Sequence, residues 1–368
     1  MIRDSVRAFA TERLAPHAAQ WDRDCTFPRA QLQEMAAMGL LGVTVPEQWS
    51  GAGMDYVCLA VALEEIAAGD GATSTIASVQ ALVCNILNGY GNDAQKERFL
   101  RPLARGAMLG CFCLTEPHVG SDAGAISMRA VRSGDEYALN GVKQFITSGK
   151  NADVAVVFAV TDKAAGKKGI SAFVVPTDTA GYVVTRIEDK LGQHASDTAQ
   201  IAFENCRVPA ANLLGPEGLG YRIALSNLEG GRIGIGSQSV GLAQAALEIA
   251  VRYAHERQAF GKPIFEHQAV SFRLADMATS LEAARQLVLH AAALKTAGRP
   301  CLTEASMAKL FASEMAESVC SDAIQIHGGY GYVNDFPVER IYRDVRVAQI
   351  YEGASDIQRM VIGRALAG

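Results

Sequence analysis

Glu352 stands in Ile350-Tyr-Glu-Gly-Ala-Ser-Asp-Ile-Gln-Arg359, where an apolar approach meets a small-residue break and a new helix. A carboxylate among apolar neighbours is held above its ordinary pKa, towards the range useful to a general base. A salt bridge to Arg343 or Arg346, both close in sequence, is the competing role. Ser355 or Asp356 would cap the helix that follows. Three other clusters carry chemical content. Thr115, Gly120 and Ser121, in Cys111-Phe-Cys-Leu-Thr-Glu-Pro-His-Val-Gly-Ser-Asp122, could offer backbone N–H groups to a flat heteroaromatic or a phosphate. The same Pro, Gly, Ser and Asp also make a plain turn. Gln325-Ile-His-Gly-Gly-Tyr-Gly-Tyr332 places Gly328, Gly329 and Gly331 at a helix end, either for close approach of a ligand or as a C-cap. Arg257 and Lys262 suit a pyrophosphate, or are simply solvated charge.

Much chemistry is excluded. No G-x-G-x-x-G follows a strand, and no phosphate-binding G-x-x-x-x-G-K-[ST], H-E-x-x-H or G-x-S-x-G occurs. The eight cysteines show no zinc spacing, and Cys111-Phe-Cys113 reads as strand alternation rather than a redox pair. A net charge of -5 and a pI near 5.9 argue against a general nucleic-acid binder. No apolar run is long enough to cross a bilayer, and the amphipathic start MIRDSVRAFATERL lacks a signal core. These features predict a protein of the cell interior, cytoplasmic in a bacterium or in the mitochondrial matrix of a eukaryote.

The secondary structure around these clusters falls into three regions. The 368 residues exceed one ordinary core, so two or three domains are expected. Residues 1–110 are helical in pattern: Val6, Phe9, Ala10 and Leu14 form one stripe, and Leu32, Met35, Met38 and Leu41 another. Residues 111–219 carry short β-branched runs and predict an antiparallel β domain, with Asn140-Gly141 as a hairpin turn. Residues 220–368 return to helix. There Val270, Leu274, Met277, Leu281, Ala284, Val288 and Ala291 make the seam of a helix bundle.

Taken together, the clusters resemble the acyl-CoA dehydrogenase family from end to end. The resemblance is carried by Leu114-Thr-Glu-Pro-His-Val-Gly-Ser-Asp122, Asn140-Gly-Val-Lys-Gln-Phe-Ile-Thr-Ser-Gly149, Arg257-Gln-Ala-Phe-Gly261, Gln325-Ile-His-Gly-Gly329 and Tyr351-Glu-Gly-Ala-Ser-Asp-Ile-Gln-Arg359, in that order. It implies a mainly α fold with an N-terminal helical domain, a central β domain and a C-terminal four-helix bundle, assembled as a homotetramer. It implies FAD, with Phe112, Leu114, Thr115, Gly120 and Ser121 along the isoalloxazine and Phe145 and Thr147 covering another part of the ring. Arg257, Phe260, Gln268, Gln325, Gly328 and Gly329 would hold the flavin of a neighbouring subunit, and Ala354, Ser355 and Asp356 match further flavin positions. Many relatives have Thr where Ala354 stands, so one hydroxyl contact is missing.

By the same resemblance Glu352 removes the α-proton of an acyl-CoA thioester while the β-hydrogen leaves as hydride to flavin N5, giving the trans-2-enoyl-CoA. Its backbone N–H and a flavin ribityl hydroxyl would serve the thioester oxygen. Ser121, Glu229, Arg232 and Gly353 match substrate positions. Some relatives carry the base near Leu228; the equivalent position here is Gly231, which leaves Glu352 as first choice and Glu229 as second. The chain is nearest to short-chain and short-branched-chain members, so C4–C6 acyl groups are expected, with electrons passing to an electron-transferring flavoprotein. An acyl-CoA oxidase using oxygen and a catalytically silent helical scaffold are the alternatives. No metal site is expected.

Overall fold

The structure is a computed structural model and describes residues 2–367. Helix α1 (Ile2–Phe9) runs through a π turn, Ala10–Leu14, into α2 (Ala15–Asp24). Val6, Phe9, Ala10 and Leu14 are all buried, as their spacing predicts. The second stripe is interrupted: α3 (Arg29–Ala37) stops short of Met38, which is 41% exposed, while Leu32, Met35 and Leu41 are buried. The buried helices α4 (Tyr56–Gly69) and α5 (Gly71–Tyr90) follow, each capped by an aspartate: Asp55 accepts from Cys58 N and Asp70 from Thr73 N. Two short pieces, α6 (Asp93–Gln95) and α7 (Arg101–Ala104), flank a second π turn and lead to the sheet.

The sheet contains β1 (Gly110–Cys113), β2 (Arg129–Ser133), β3 (Glu136–Thr147), β4 (Val154–Val160), β5 (Ile170–Pro176), β6 (Tyr182–Ile187) and β7 (Thr198–Pro209). Their order is β1-β4-β2-β3-β7-β6, with β5 also paired to β4. Most pairs are antiparallel, as expected, but β1 runs parallel to β4 and β2 meets β4 in parallel at Arg129 and Val160. A parallel pair needs a long crossover, here the chain between the two strands. Strands β4 and β5 are apolar on both faces because both faces are covered. In β1, Cys111 and Cys113 point into one core while Phe112 packs edge-on against Phe158 on the other side. All eight cysteines are free.

The expected hairpin at Asn140-Gly141 is not there. Both residues lie inside β3, at a register shift opposite β7, where Asn140 Oδ1 accepts from Asn205 N at 2.8 Å. The true β2–β3 turn is at Gly134, whose φ of +62° suits glycine.

The C-terminal helices are α8 (Gly220–Glu256), α9 (Gln268–Thr296), α10 (Leu302–His327), α11 (Val338–Val345) and α12 (Ser355–Ala367). A small hairpin of β8 (Gln258–Ala259) and β9 (Lys262–Pro263) joins α8 to α9. Along α9, Leu274, Met277, Leu281, Ala284, Val288 and Ala291 are buried against α8 and α10, so the predicted seam forms. The result is helix, mixed sheet, helix.

Candidate active site

Glu352 lies in the turn between a 3-10 segment, Arg346–Gln349, and α12. It and Gly353 both have positive φ, 51° and 88°. A non-glycine residue there is strained and persists only when its surroundings impose it. The turn delivers the carboxylate onto the face of α8 at Gly231: a Cβ on that glycine would lie 2.4 Å from Glu352 Oε2. Oε2 is buried and has no hydrogen-bond partner among the described residues.

The salt-bridge role is not what the structure places there. Arg343 engages Asp22 at 2.7 Å and Glu339 at 2.8 Å, and Arg346 faces Glu317 at 3.6 Å. Burial therefore pushes the Glu352 carboxyl above its usual range, and the more distant charges of Arg232 and Lys309 pull it part of the way back. Arg232 is itself buried on α8, bonded through Nη1 to Ser306 Oγ at 3.3 Å. Burial lowers its pKa, against the pull of Glu352 and Glu229. Glu229 is turned towards Lys295, at 3.4 Å, and Cys301.

Tyr351 anchors the turn from the other side. Its hydroxyl bonds Gln238 Oε1 and lies 3.3 Å from Thr75 Oγ1. Neither Ser355 nor Asp356 caps α12; the carbonyl of Ala354 accepts the first helical bond, from Gln358 N at 3.1 Å, and Ser355 begins the helix. Ser355 Oγ is buried without a partner among the described residues, and Asp356 is exposed. Beside Gly230 and Gly231 opens a narrow crevice with room for about one water molecule, walled by Tyr56, Leu59, Leu63 and Leu82 and bounded by Ser78 and Asn85.

A second group forms at the sheet. Thr115 follows β1, and its carbonyl accepts from Gln144 N at 2.9 Å, so the Thr115 loop and the Phe145 region of β3 are held together. A bulge between Lys143 and Ile146 puts Phe145 at φ 57° with its ring 62% exposed. Thr147, two residues on, pairs with Thr198. Gly120 and Ser121 are exposed in the loop beyond Thr115. Beneath this lies a support that sequence reading missed. Lys143, fully buried, donates to Leu114 O and to Glu116 Oε1, both at 2.9 Å, and Glu116 also accepts from Ser127 N and Met128 N. An exposed aromatic ring with threonines on the segments beside it fits a flat heterocycle with a polar rim.

A third group is remote. Arg257 ends α8 and its guanidinium lies 5.8 Å from the Tyr330 ring; Tyr253 stacks on His327 at 4.2 Å, joining it to the end of α10. Gln325, Gly328 and Gly329 are exposed there, Gln268 opens α9, and Phe260, 97% exposed, tips the β8–β9 hairpin. Gly328, at φ 60° and ψ -132°, caps α10, so a helix end and an open backbone coincide. Along α8, Arg257 is 26 residues from Gly231, about 39 Å at helical rise. One chain therefore does not bring this group to Glu352.

Lys309 also escaped the sequence reading. It is completely buried on α10, and its Nζ donates to Gly353 O at 2.8 Å. A signal existed: a lone lysine in the small-residue stripe Ala305, Ala308, Ala312, Ala316.

Comparison with known proteins supplies the family. The acyl-CoA dehydrogenase N-terminal, middle and C-terminal domain models match residues 1–107, 111–206 and 218–367. The short-chain specific acyl-CoA dehydrogenase, mitochondrial, of Rattus norvegicus is 49% identical over 363 residues, 98% of this chain and 88% of that one. An acyl-CoA dehydrogenase of Bacillus subtilis (strain 168) is 49% identical over 369 residues, covering 100% and 97%. Among solved structures, a chain from work on the electron transferring flavoprotein of Acidaminococcus fermentans superposes with a TM-score of 0.98 at 46% identity, covering 100% and 97%. Butyryl-CoA dehydrogenase from Megasphaera elsdenii gives 0.98 at 41% identity with the same coverage.

Proposed function

The chain belongs to the acyl-CoA dehydrogenase family, whose cofactor is FAD, and we propose that it oxidises a short-chain acyl-CoA, C4–C6, with Glu352 as the base. The observation that carries this reading is a buried carboxylate oxygen without a hydrogen-bond partner among the described residues, resting against Gly231 where the narrow crevice begins. An acyl thioester has a weakly acidic α-proton, and a desolvated carboxylate is the group suited to removing it. Arg232 and Lys309 keep positive charge near that carboxylate without quenching it in an ion pair. The Glu352 N–H has no backbone acceptor among the described residues and is available to the thioester oxygen as negative charge develops there.

The residues present fit FAD. Phe112, Leu114, Thr115, Gly120, Ser121, Phe145 and Thr147 would line the ring, and Ala354, Ser355 and Asp356 would contact the flavin; the Ser355 hydroxyl, without a partner among the described residues, is one donor left for it. When bound, FAD supplies the hydride acceptor for the β-hydrogen. The remoteness of Arg257, Phe260, Gln268, Gln325, Gly328 and Gly329 from Glu352 supports the reading that they serve the flavin of a neighbouring subunit in a homotetramer. Ser121, Glu229, Arg232 and Gly353 are assigned to the thioester. The domains are divided at 1–110, 111–219 and 220–368. An electron-transferring flavoprotein is the proposed acceptor. Among the described residues no helix is long and apolar enough to cross a membrane, and relatives occur both in bacteria and in mitochondria.

The test is Glu352→Gln in FAD-loaded protein. It should bind butyryl-CoA yet lose turnover by at least about a thousandfold, and anaerobic butyryl-CoA should bleach the wild-type flavin but not the variant's. Near-normal turnover in the variant would remove the base assignment.

A further inference from the structure

Lys309 occupies an expensive place. Its neighbours Ala305, Ala308 and Ala312 on α10 are wholly buried, and so is the lysine. A methionine would fill the same space without taking an ammonium out of water. No ion pair repays the burial among the described residues; the one hydrogen bond is to Gly353 O. That carbonyl belongs to the second of the two successive left-handed residues that aim Glu352. Gln358 supplies the other donors, its Nε2 lying 2.8 Å from Gly353 O and 3.2 Å from Glu352 O. Gln358 belongs to α12, which the turn itself begins, so it moves with the turn. Lys309 ties the Gly353 carbonyl to α10, as the Tyr351 hydroxyl ties the start of the turn to Gln238 on α8.

We propose that Lys309 is a positioning residue for the base: through the Gly353 carbonyl it fixes the left-handed turn that sets Glu352 against Gly231, and its ammonium favours the ionised carboxylate there. The proposal rests on the reading of Glu352 as the base. The charged groups bearing on Lys309 are Glu352 from the turn, Arg232 from α8 and Glu314 from α10 itself. Those bearing on Glu352 are Arg232 and Lys309, with the Tyr351 hydroxyl on its own segment. Burial brings Lys309 down to about 8, with Glu352 opposing the fall. The lysine is therefore charged across the acidic side of the working range.

The experiment is Lys309→Met in the FAD-loaded protein, with flavin content, butyryl-CoA binding and the pH profile of flavin reduction measured against wild type. Flavin content and binding should hold. The reduction rate should fall on the order of 10- to 100-fold as the base loses its aim. The acid limb of the profile should move up by about one pH unit, because removing a nearby cation makes the carboxylate harder to ionise. A folded, flavin-loaded variant with an unmoved acid limb and a normal rate overturns the proposal. If the methionine variant does not fold, Lys309→Gln, which keeps a neutral donor, carries the same pH test with the same overturning result. Glu352→Gln run alongside separates the two ideas. If it is inactive while Lys309→Met is normal, only the lysine's role falls; if it is active, the base assignment falls and takes the lysine's role with it.

Discussion

The carboxylate of Glu352 rests on the bare Cα of Gly231: a Cβ there would stand 2.4 Å from Oε2 and 3.0 Å from the carboxyl carbon. The two residues are 121 positions apart in sequence. Glycine at 231 is thus what allows a side chain from the α12 turn to reach the crevice beside α8. Gly231→Ala should push the carboxylate aside while leaving helix and flavin intact. Turnover should drop on the order of a hundredfold, with unchanged FAD absorbance. An alanine variant with ordinary kcat would mean that the carboxylate has another place to work from.

Under the proposed reading, the walls of the same crevice set the acyl chain length. Leu82, from α5, is 5% exposed and lines it together with Leu59 and Leu63. Leu82→Ala should lengthen the space and shift the kcat/KM optimum from the proposed C4–C6 towards C8, by about tenfold in the ratio, since a methylene is worth about 1–3 kcal/mol. Unfolding would become easier by about 2–5 kcal/mol. Comparing butyryl-, hexanoyl- and octanoyl-CoA decides it: an unaltered ratio would place the acyl chain elsewhere.

Asp344 should make stability depend on pH. It is buried beside Asp70 and Arg340, with Arg340 Nη1 3.8 Å away, and burial raises it to about 7. A carboxyl raised in the folded state contributes stability below its unfolded pKa and loses it as pH rises through the folded value. Asp344→Asn keeps an oxygen for the Gln193 N–H and leaves Arg340 to Asp70. The variant's Tm, relative to wild type, should therefore improve between about pH 5 and about pH 8. Parallel Tm curves across that interval would show that another group carries the titration.

Local pattern reached some elements and failed at others for identifiable reasons. The α9 seam was legible because a bundle helix buries one stripe, here from Leu274 to Ala291 with Val270 half-buried at its start, and the period survives in the sequence. Asn140-Gly141 misled because a turn dipeptide is also tolerated at a bulge, and pairing with β7 over both flanks outweighed the local preference. Met38 broke its stripe because the helix ended one residue earlier. What distinguishes Lys143 and Lys309 is complete burial, which no single-residue preference announces; only the alanine stripe around Lys309 hints at it.

Side-chain period and motif spacing are local properties, so the residue types able to do the chemistry and the order of helix, sheet and helix are legible without coordinates. The sequence also carried Glu352 as the candidate base. That Glu352 Oε2 has no partner among the described residues follows from long-range packing. Arg343 and Arg346 were equally available to it in sequence, and it is the packing of α2, α10 and α11 that gives them to Asp22, Glu317 and Glu339 instead. The cost of a buried charge depends on what surrounds it in three dimensions, and those surroundings come from Gly231, Arg232 and Lys309, each distant in the chain from the residue it serves.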